Sequence, residues 1–381
     1  LIHRDGTIVS KVNEEFAQIY PKAGWVEHDA EAIWQSVLSC IRKSLELAHV
    51  DGQAVAAIGI TNQRETTVIW ERDTHKPIHN AIVWQCRRTT ELCEKLKRQK
   101  LGATIKKKTG LVIDPYFSAT KFQWLLDNVK GARKRAIQGQ LAGGTIDTFL
   151  LWRLTKGRAH KTEVSNASRT QLMNISKSQW DKDLLKIFKV PEILLPEICP
   201  SNGVFGVTAN VPSLPDGIPI AGMAGDQQAA LFGQTCFKVG QAKCTFGTGS
   251  FLLMNVGAKP VSSRSGLLTT VAWQLKDEPK VTYALEGGAF ICGAAVQWLR
   301  DNLKFVETSA AIESLAKQVE SSDGVEVIPA MAGLGAPYWD PKARGAILGI
   351  TRGTGRAHIA RATLEAMALQ NVDILVAMEK I

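Results

Sequence analysis

The strongest periodic signal in the chain is an apolar stripe at helical spacing that begins just after Asp29. Six apolar residues recur there every three or four positions: Ile33, Trp34, Val37, Leu38, Ile41 and Leu45. This spacing predicts an amphipathic helix with one buried face. Asp29 is a preferred N-cap residue, so it predicts where the helix begins. Before it, residues 7–16 alternate between polar and apolar side chains, which predicts a strand.

Short apolar runs and longer helical patterns alternate through the first two hundred residues. Residues 54–61 are almost wholly apolar, which predicts a strand covered on both faces. Two further strands are predicted at residues 66–70 and 81–84. Helical patterns then follow at residues 117–128, 145–154 and 181–188. A mixture of strands and helices in this order indicates α/β architecture.

A stretch rich in Pro and Gly, residues 211–219, interrupts this pattern, and strand-then-helix order resumes after it. Residues 218–224 predict another buried strand. The elements predicted beyond it are strands at residues 251–255, 267–273 and 282–286 and a helix at residues 289–303. We therefore place a domain boundary near residue 240, with one domain over residues 1–238 and a second over residues 239–381.

Composition limits the class of protein without deciding its activity. A chain of 381 residues is too long for one compact core, and its 45% hydrophobic and 22% charged content is typical of a globular protein. No apolar run approaches the length of a membrane span, and no leader-like segment opens the chain. The seven cysteines are scattered and never form Cys-x-x-Cys, which argues against a disulfide framework or a zinc site and fits a reducing cytoplasm.

The net charge of +10 raises the hypothesis of a nucleic-acid partner. The densest basic stretch, residues 95–108, follows Glu91 and Glu94 and contains no aromatic residue on which bases would stack. A solvated helix face explains this stretch better. The charge also suits an anionic small-molecule substrate. We expect no nucleic-acid partner and no insertion into a membrane.

The segment around Asp226 is the most informative for chemistry. An apolar strand leads directly into Gly225 and Asp226, and a helical pattern starts at Gln227. Open α/β sheets bind ligands at such junctions, where the carboxyl end of a strand meets the amino end of a helix. A carboxylate there can accept the proton of a hydroxyl that attacks a phosphoryl group. Helix capping is the alternative role, because Asp is a preferred N-cap residue.

Two glycine-rich segments in the second half are candidates for phosphate contact. In Gly247-Thr248-Gly249 the glycines allow backbone N–H groups to converge on phosphate oxygens, and a tight turn is the alternative. Gly293 and Gln297 lie one helical turn apart on one face of the predicted helix. Close helix packing is the simpler account of the small residues around them.

A polar and aromatic group follows the first strands and comprises Arg64, Glu65, Trp84 and Tyr116. Adjacent opposite charges, as at Arg64 and Glu65, are unusual directly after a buried strand. Arg donates to hydroxyl oxygens, Glu accepts from hydroxyl hydrogens, and aromatic rings cover CH₂ groups. This group suits a small polyol, and a structural ion pair at a strand end is the alternative.

Six ordered segments closely resemble the glycerol kinases of the FGGY carbohydrate kinase family: Gly24-Trp-Val-Glu-His-Asp29, Ile60-Thr-Asn-Gln-Arg-Glu-Thr66, Gly144-Thr-Ile-Asp147, Ser165-Asn-Ala-Ser-Arg169, Ala224-Gly-Asp-Gln-Gln228 and Gly333-Leu-Gly-Ala-Pro-Tyr-Trp-Asp340. The resemblance covers essentially the whole chain. It implies a two-domain actin-like, ribonuclease-H-like ATPase fold with the active site in the cleft between the domains. It also implies ATP-dependent phosphorylation of glycerol to sn-glycerol 3-phosphate, carried out in the cytoplasm by a homodimer or homotetramer.

The same resemblance implies roles for individual residues. Asp226 would be the general base and would contact Mg²⁺ only through water. The residues that would line the glycerol pocket are Arg64, Glu65, Trp84, Tyr116, Asp226, Gln227 and Phe251. The nucleotide would be contacted by Thr248, Gly293 and Gln297, with Mg²⁺ bridging its phosphates.

The chain also departs from the pattern of these kinases. Their phosphate-binding loop would precede Leu1, and their adenosine-binding segment would follow Ile381. Cys86 stands where the family usually has Asp, and Cys244 stands where it usually has Asn. The loop before residue 218 lacks the basic sequence for fructose 1,6-bisphosphate and the phosphorylated His of some members, so we expect neither form of control.

Two alternatives stay open on sequence grounds. The first is a kinase of the same family that acts on a pentulose or another polyol. The second is a catalytically degenerate member that binds glycerol without transferring phosphate.

Overall fold

The computed structural model describes residues 1–380, without the side chain of Pro279, and the chain divides into two compact units. Unit 1 comprises residues 1–229 and 270–282, and unit 2 comprises residues 230–269 and those from Tyr283 onward. The predicted boundary between residues 238 and 239 stays a prediction, as does the predicted cleft.

The strands are β1 (Gln18–Ile19), β2 (Glu27–His28), β3 (Ile58–Asn62), β4 (Thr67–Glu71), β5 (Ala81–Ile82), β6 (Leu141–Thr145), β7 (Lys161–Glu163), β8 (Met173–Asn174), β9 (Gln179–Trp180), β10 (Glu197–Cys199), β11 (Asn202–Val207), β12 (Pro219–Gly225), β13 (Ala242–Phe246), β14 (Ser250–Gly257), β15 (Leu268–Leu275), β16 (Glu278–Ala289), β17 (Glu326–Ile328) and β18 (Ala346–Leu348). The helices are α1 (Ala30–Ala48), α2 (Thr90–Arg98), α3 (Gly102–Thr109), α4 (Ser118–Asn128), α5 (Ala132–Ile137), α6 (Ile146–Leu154), α7 (Val164–Ser168), α8 (Lys182–Phe188), α9 (Asp226–Gly233), α10 (Gly293–Asp301), α11 (Ala311–Ala316) and α12 (Arg356–Glu379).

Two sheets organise unit 1. Strands β1-β2-β5-β4-β6 form a five-stranded sheet in that order, and β11-β12-β3 form a three-stranded sheet. Strands β12 and β3 run parallel, with Gly225 opposite Asn62 at their carboxyl ends. Parallel strands end at the same edge of a sheet, which is where such sheets bind ligands. The residues that follow these strands, Asp226 and Arg64, therefore emerge side by side.

Strand β4 separates two buried hydrophobic clusters of unit 1. Ile69 shares one cluster with Phe122 of α4. Val68 and Trp70 share the other with Phe149 of α6. Successive side chains of a strand point to opposite faces, so β4 is covered on both. This packing fixes the strand that directly follows Glu65.

The predicted helices of unit 1 are confirmed. Helix α1 begins after Asp29, whose carboxylate accepts a hydrogen bond from the Glu31 backbone N–H at 2.8 Å. Helices α4, α6 and α8 begin one residue after their predicted starts and end at the predicted residues. Each of the three carries enough apolar residues at helical spacing to reach a buried cluster.

Two predicted strands of unit 1 are wrong in part. Most of residues 7–16 lie outside any strand, and only Ile8 forms an isolated bridge, to Ile2. Alternation of side chains provides a face for a sheet, but within residues 1–380 this segment forms only that bridge and no ladder. Strand β3 is confined to Ile58–Asn62, and its side chains alternate between exposed and more buried, so it is not covered on both faces as predicted.

Unit 2 contains β13, β14 and the part of β16 from Tyr283 onward, which pair in that order, together with the β17-β18 pair. Most of β15, residues 270–275, belongs to unit 1. The predicted helix at residues 289–303 is shorter in the structure and begins at Gly293. Residues 287–289 instead continue β16, because β14 pairs with them and places Phe251 opposite Gly288. Helix α12 extends to Glu379, and Ile381 lies outside the described residues.

Two features bear on the predicted class of protein. Over residues 1–380, none of the helices combines the length and the apolar character that a membrane crossing requires. All seven cysteines are free thiols.

Candidate functional site

The carboxyl ends of β3 and β12 bring one guanidinium between two carboxylates. Arg64 Nε lies 3.5 Å from Asp226 Oδ1 and 4.0 Å from Glu65 Oε1. The side chains of Arg64 and Glu65 are almost fully buried, whereas 41% of the Asp226 side chain is exposed. The site therefore has a buried ion pair at its base and a carboxylate that solvent or a ligand can reach.

The orientation of Arg64 is fixed by neutral partners. Its Nη1 donates to Gln228 Oε1 at 3.2 Å, and its Nη2 donates to the Tyr116 hydroxyl at 3.3 Å. Gln228 is held in turn, because its Nε2 donates to the Val271 carbonyl at 3.1 Å. These bonds hold the rigid guanidinium fork in its observed orientation.

Gly225 makes room for this arrangement. A Cβ atom at Gly225 would lie 2.7 Å from both Cγ and Cδ of Arg64. Contacts that short require one group to move, so the residue before Asp226 has to lack a side chain if Arg64 is to pack against the strand.

Glu65 adopts a backbone conformation that is uncommon for a residue with a side chain. Its φ is 62°, in the left-handed region. Its carbonyl accepts from Thr67 Oγ1 at 3.0 Å, Ser118 Oγ at 3.0 Å and Lys121 Nζ at 3.3 Å. Its carboxylate accepts from Arg169 Nε at 2.6 Å. Strained backbone that several contacts hold in place is typical of functional sites.

Lys121 is a fully buried amine directly behind the site. Its Nζ donates to the carbonyl of Tyr116 as well as to that of Glu65. Burial lowers the pKa of the Lys121 ammonium to about 7, and the nearby Glu65 carboxylate acts in the opposite direction. The lysine thus ties together the backbones of two residues predicted to bind the substrate.

An aromatic pair borders the same site. The rings of Trp84 and Tyr116 meet edge to face, with centroids 5.7 Å apart. Tyr116 is buried, and Trp84 is only partly buried. Rings in this position can cover the carbon atoms of a small ligand whose hydroxyls reach Arg64 and Glu65.

The two oxygens of Asp226 have different surroundings. Oδ1 accepts the backbone N–H of Gln227 at 2.8 Å, within the first turn of α9, and also faces Arg64. Among residues 1–380, the hydrogen-bonding contact of Oδ2 is with Gln227 Nε2 at 3.4 Å, which is long. One oxygen therefore serves the start of the helix, and the other is available to accept a proton.

The glycine-rich segments of unit 2 are joined to each other through the backbone. The N–H of Gly293 donates to the carbonyl of Gly247 at 2.9 Å, and that of Cys292 donates to the carbonyl of Thr248 at 2.8 Å. A Cβ atom at Gly293 would lie 2.7 Å from the Gly247 oxygen. The start of α10 therefore packs closely against the turn at residues 247–249. The side chains of Thr248 and Gln297 are exposed beside this contact.

Phe251 belongs to unit 2, whereas the other six residues predicted to line the glycerol pocket belong to unit 1. Its ring is buried and lies against the backbone of Gly288, where a Cβ atom would come within 2.8 Å of it. The contribution of Phe251 to a substrate pocket stays a prediction.

Metal ligands do not cluster in the part of the chain that the structure describes. None of its His, Cys, Asp or Glu side chains form a group of three or more that could hold a metal ion.

Residues 1–233 match the N-terminal domain of the FGGY family of carbohydrate kinases, and residues 242–381 match its C-terminal domain. The chain belongs to this family. It is similar to the glycerol kinase of Bdellovibrio bacteriovorus, with 62% identity over 380 residues that cover 100% of this chain and 77% of that protein. It is 55% identical to the glycerol kinase of Thermoanaerobacter pseudethanolicus over 380 residues, covering 100% of this chain and 76% of that one.

A solved structure extends the likeness to three dimensions. The crystal structure of Plasmodium falciparum glycerol kinase with ADP superposes with a TM-score of 0.86 at 38% identity, covering 100% of this chain and 75% of that chain. The predicted two-domain α/β fold of the FGGY kinases is therefore confirmed.

Cys86, which departs from the FGGY pattern, has a hydrogen-bond partner in the structure. The buried Cys86 thiol accepts a hydrogen bond from Arg88 Nε at 3.0 Å. Arg88 also donates to Glu27 at 2.6 Å and stacks on the rings of Trp25 and Trp124, 4.0 and 4.7 Å from their centroids. The thiol therefore takes part in a hydrogen-bonded and stacked cluster in this chain.

Several residues that shape the site escaped sequence reasoning. Gln228 and Arg169 directly contact the predicted pair Arg64 and Glu65, and Lys121 holds the Glu65 backbone. Gln228 and Arg169 lie in segments that carry the family resemblance, but spacing alone gives no sign of their partners. Lys121 lies on the buried face of α4, where a lysine is rare unless it has hydrogen-bond acceptors.

Proposed function

We propose that this protein catalyses ATP-dependent phosphorylation of glycerol to sn-glycerol 3-phosphate, with Asp226 as the general base. The observation that carries the proposal is the arrangement of Asp226, Arg64 and Glu65, in which an exposed carboxylate adjoins a buried, oriented guanidinium. The names of the most similar relatives support glycerol as the acceptor over a pentulose.

The chemical step requires a proton acceptor beside the attacking hydroxyl. In the proposed reaction a terminal hydroxyl oxygen of glycerol attacks the γ-phosphorus of ATP, its proton passes to Asp226 Oδ2, and the bond from the γ-phosphorus to the bridging oxygen of ADP breaks. The 3.4 Å contact to Gln227 competes only weakly for Oδ2. Oδ1, bonded to the Gln227 backbone, keeps the carboxylate in one orientation.

Recognition of glycerol is assigned to the residues around the ion pair. Arg64 would donate to hydroxyl oxygens, and Glu65 would accept from hydroxyl hydrogens. Trp84 and Tyr116 would cover the CH₂ groups. A ligand without the matching hydroxyls would lose hydrogen bonds to this buried pair, so selection against such ligands is strong.

The nucleotide is assigned to unit 2. Thr248 and Gln297 have exposed side chains next to the start of α10, and Gly293 leaves that position free of a side chain. These features suit contact with phosphate or ribose groups. ATP supplies the phosphoryl group, and these residues would bind and orient it.

Mg²⁺ is part of the proposal as the partner of ATP. This ion usually keeps several water ligands and uses one or two carboxylates together with substrate phosphates, so a dedicated protein cage is not required. The partly exposed Asp226 fits contact through a water molecule. Bound Mg²⁺ would neutralise charge on the phosphates.

The proposal also includes a cytoplasmic location and assembly as a homodimer or homotetramer.

A comparison of acceptors tests the proposed function. We expect that the protein, expressed from its whole reading frame, releases ADP with glycerol at least tenfold faster than with erythritol or xylulose. Faster turnover of xylulose would make the protein a pentulose kinase. Binding of glycerol by calorimetry without ADP release would identify a degenerate member of the family.

A further inference from the structure

A buried carboxylate outside the predicted site collects three hydrogen bonds. Glu163 ends β7 and is fully buried. Its Oε2 accepts from Ser165 Oγ at 2.5 Å and from the Asn166 backbone N–H at 3.2 Å. Its Oε1 accepts from Ser201 Oγ at 2.5 Å. All three groups donate to the carboxylate, so both of its oxygens are satisfied only as acceptors.

Each serine hydroxyl also accepts a hydrogen bond from a backbone N–H group in a strand. Ser165 Oγ donates to Glu163 and accepts from the N–H of Gly225 at 3.1 Å. Ser201 Oγ donates to Glu163 and accepts from the N–H of Gln274 at 3.2 Å. We call Glu163, Ser165 and Ser201 the Glu163 network. The Ser165 arm is the chain of hydrogen bonds from Glu163 through Ser165 to the Gly225 N–H, and the Ser201 arm is the chain from Glu163 through Ser201 to the Gln274 N–H.

At the end of β12, the Ser165 hydroxyl accepts the hydrogen bond that a neighbouring strand's carbonyl would otherwise accept. The N–H groups of Met223 and Gly225, two residues apart, point to the same edge of the strand. The first donates to the backbone carbonyl of Ser201 at 3.0 Å. The second donates to the Ser165 side chain, because the pairing of β11 with β12 reaches only Gly222. The strand end before Asp226 is thus held on this edge by a side chain.

We infer that Glu163 and Ser165 are positioning residues for the phosphoryl transfer proposed above, because they fix the backbone that presents Asp226. The inference rests on the proposed function. Asp226 follows Gly225 directly, so a shift of the Gly225 amide moves the carboxylate relative to the bound acceptor. The contacts of Arg64 with Tyr116 and Gln228 do not pass through Ser165. Loss of the Ser165 arm should therefore affect the chemical step more than glycerol binding.

The matched pair Ser165→Ala and Ser201→Ala separates positioning from general stabilisation. Each substitution removes one hydroxyl bonded to the same carboxylate and leaves one backbone N–H without its acceptor. Only Ser165→Ala affects the residue before Asp226. We would measure kcat by ADP release, the glycerol Kd by calorimetry and Tm for both variants at pH 8. At this pH Glu163 is largely ionised, since burial raises its pKa to about 7.

The expected result is a split between the two variants. Ser165→Ala should lower kcat by about tenfold or more and change the glycerol Kd by less than about threefold, because misplacement of a catalytic group by a fraction of an ångström slows the chemical step. Ser201→Ala should keep kcat within about twofold of the wild type, with a comparable drop in Tm. Ser165→Thr, which keeps the hydroxyl, should recover part of kcat.

A different pattern would overturn the inference. If Ser165→Ala keeps the wild-type kcat, or if both variants lose kcat equally, the network serves stability alone. Should Ser165→Ala fail to fold, Glu163→Gln tests the role of the carboxylate instead, and equal kcat in Glu163→Gln and wild type would reject that role. Failure of the proposed function is a separate result, since the wild-type protein would then release no ADP with glycerol in the same assay.

Discussion

At the scale of single residues, Arg64 lies between Glu65, which we propose binds glycerol, and Asp226, the proposed base. Its guanidinium contacts Asp226 at 3.5 Å on one side and Glu65 at 4.0 Å on the other. Tyr116 and Gln228 accept further hydrogen bonds from this guanidinium. A buried arginine requires such acceptors whether its role is structural or ligand-binding, so a binding measurement has to distinguish the two roles.

Arg64→Ala should weaken glycerol binding far more than ATP binding. The lost hydrogen bonds from a charged donor should raise the free energy of glycerol binding by about 1–3 kcal/mol. Calorimetric titration of glycerol and of ATP into the variant measures both changes. Equal weakening of the two ligands would indicate that Arg64 has a structural role only, and a thermal melt of the variant provides the control for misfolding.

Sequence reasoning identified the charged residues of the site more readily than the residues that orient them. Arg64, Glu65 and Asp226 stand out because charges follow strand ends, a pattern that depends on local order alone. Arg169 and Gln228 contact them from positions 104 and 164 residues away in the chain. Such contacts depend on tertiary packing, and a single sequence does not encode them in its spacing. The left-handed conformation of Glu65 was likewise not predicted, because a glutamate seldom adopts φ > 0 and nothing in the local sequence marks this one.

At the scale of elements, strand β12 determines the geometry of the site. It ends in Gly225, whose lack of a side chain admits Arg64, and its next residue is Asp226. At adjacent positions the strand thus allows the Arg64 side chain to approach closely and presents the Asp226 carboxylate.

Gly225→Ala should reduce glycerol affinity by displacing Arg64. The added Cβ atom would meet Cγ and Cδ of Arg64 at 2.7 Å. Gly222→Ala in the same strand is the matched control, because the nearest atom to its Cβ would be 3.9 Å away. We expect at least a tenfold rise in the glycerol KM for Gly225→Ala and less than a twofold change for Gly222→Ala. Similar values for the two variants would show that Arg64 has room to move.

The helices and strands were predicted more accurately where the pattern that forms them lies within the segment itself. Helices α4, α6 and α8 were predicted to within one residue because apolar spacing and helix ends are encoded along the chain. Residues 7–16 were predicted as a strand because they alternate, yet a strand requires a partner that alternation does not supply. The start of α10 was predicted four residues early because Ala289, the predicted first residue, pairs with Ser250 of β14 as strand.

At the scale of the whole molecule, unit 1 contains buried ionisable groups whose charge opposes folding. His160 is largely buried, and burial lowers its pKa from 6.5 to about 4. It contacts the Gly143 carbonyl through Nε2 at 3.0 Å and Arg72 through Nδ1 at 3.4 Å. A protonated ring would lose the acceptor for Arg72 and place two cations side by side.

The contribution of His160 to the stability of the protein should therefore fall as the pH drops below 6.5. Between the two pKa values the unfolded chain binds a proton that folded His160 does not, so the free energy of unfolding decreases with falling pH. His160 should account for about 1.5 kcal/mol between pH 6.5 and about pH 5. His160→Gln keeps a donor and an acceptor and should remove this contribution.

Urea denaturation of wild type and His160→Gln at both pH values measures the difference. Comparison of the two proteins cancels the contributions of other groups, including Glu163, whose raised pKa acts with the opposite sign. Identical pH dependence in the two proteins would contradict a neutral, buried His160.

The overall fold was predictable because several ordered motifs pointed to one family, and the family matches extend over residues 1–233 and 242–381. Composition and charge contributed little, since +10 fits many classes of protein.

The measurement that tests the central claim most directly is phosphoryl transfer by Asp226→Asn. The substitution keeps the size of the side chain and removes its capacity to accept a proton. We predict that kcat falls by about 10²–10⁴-fold while the glycerol Kd from calorimetry stays within about threefold of the wild type. A variant that binds glycerol normally and retains more than a tenth of the wild-type kcat would contradict the assignment of Asp226 as the base.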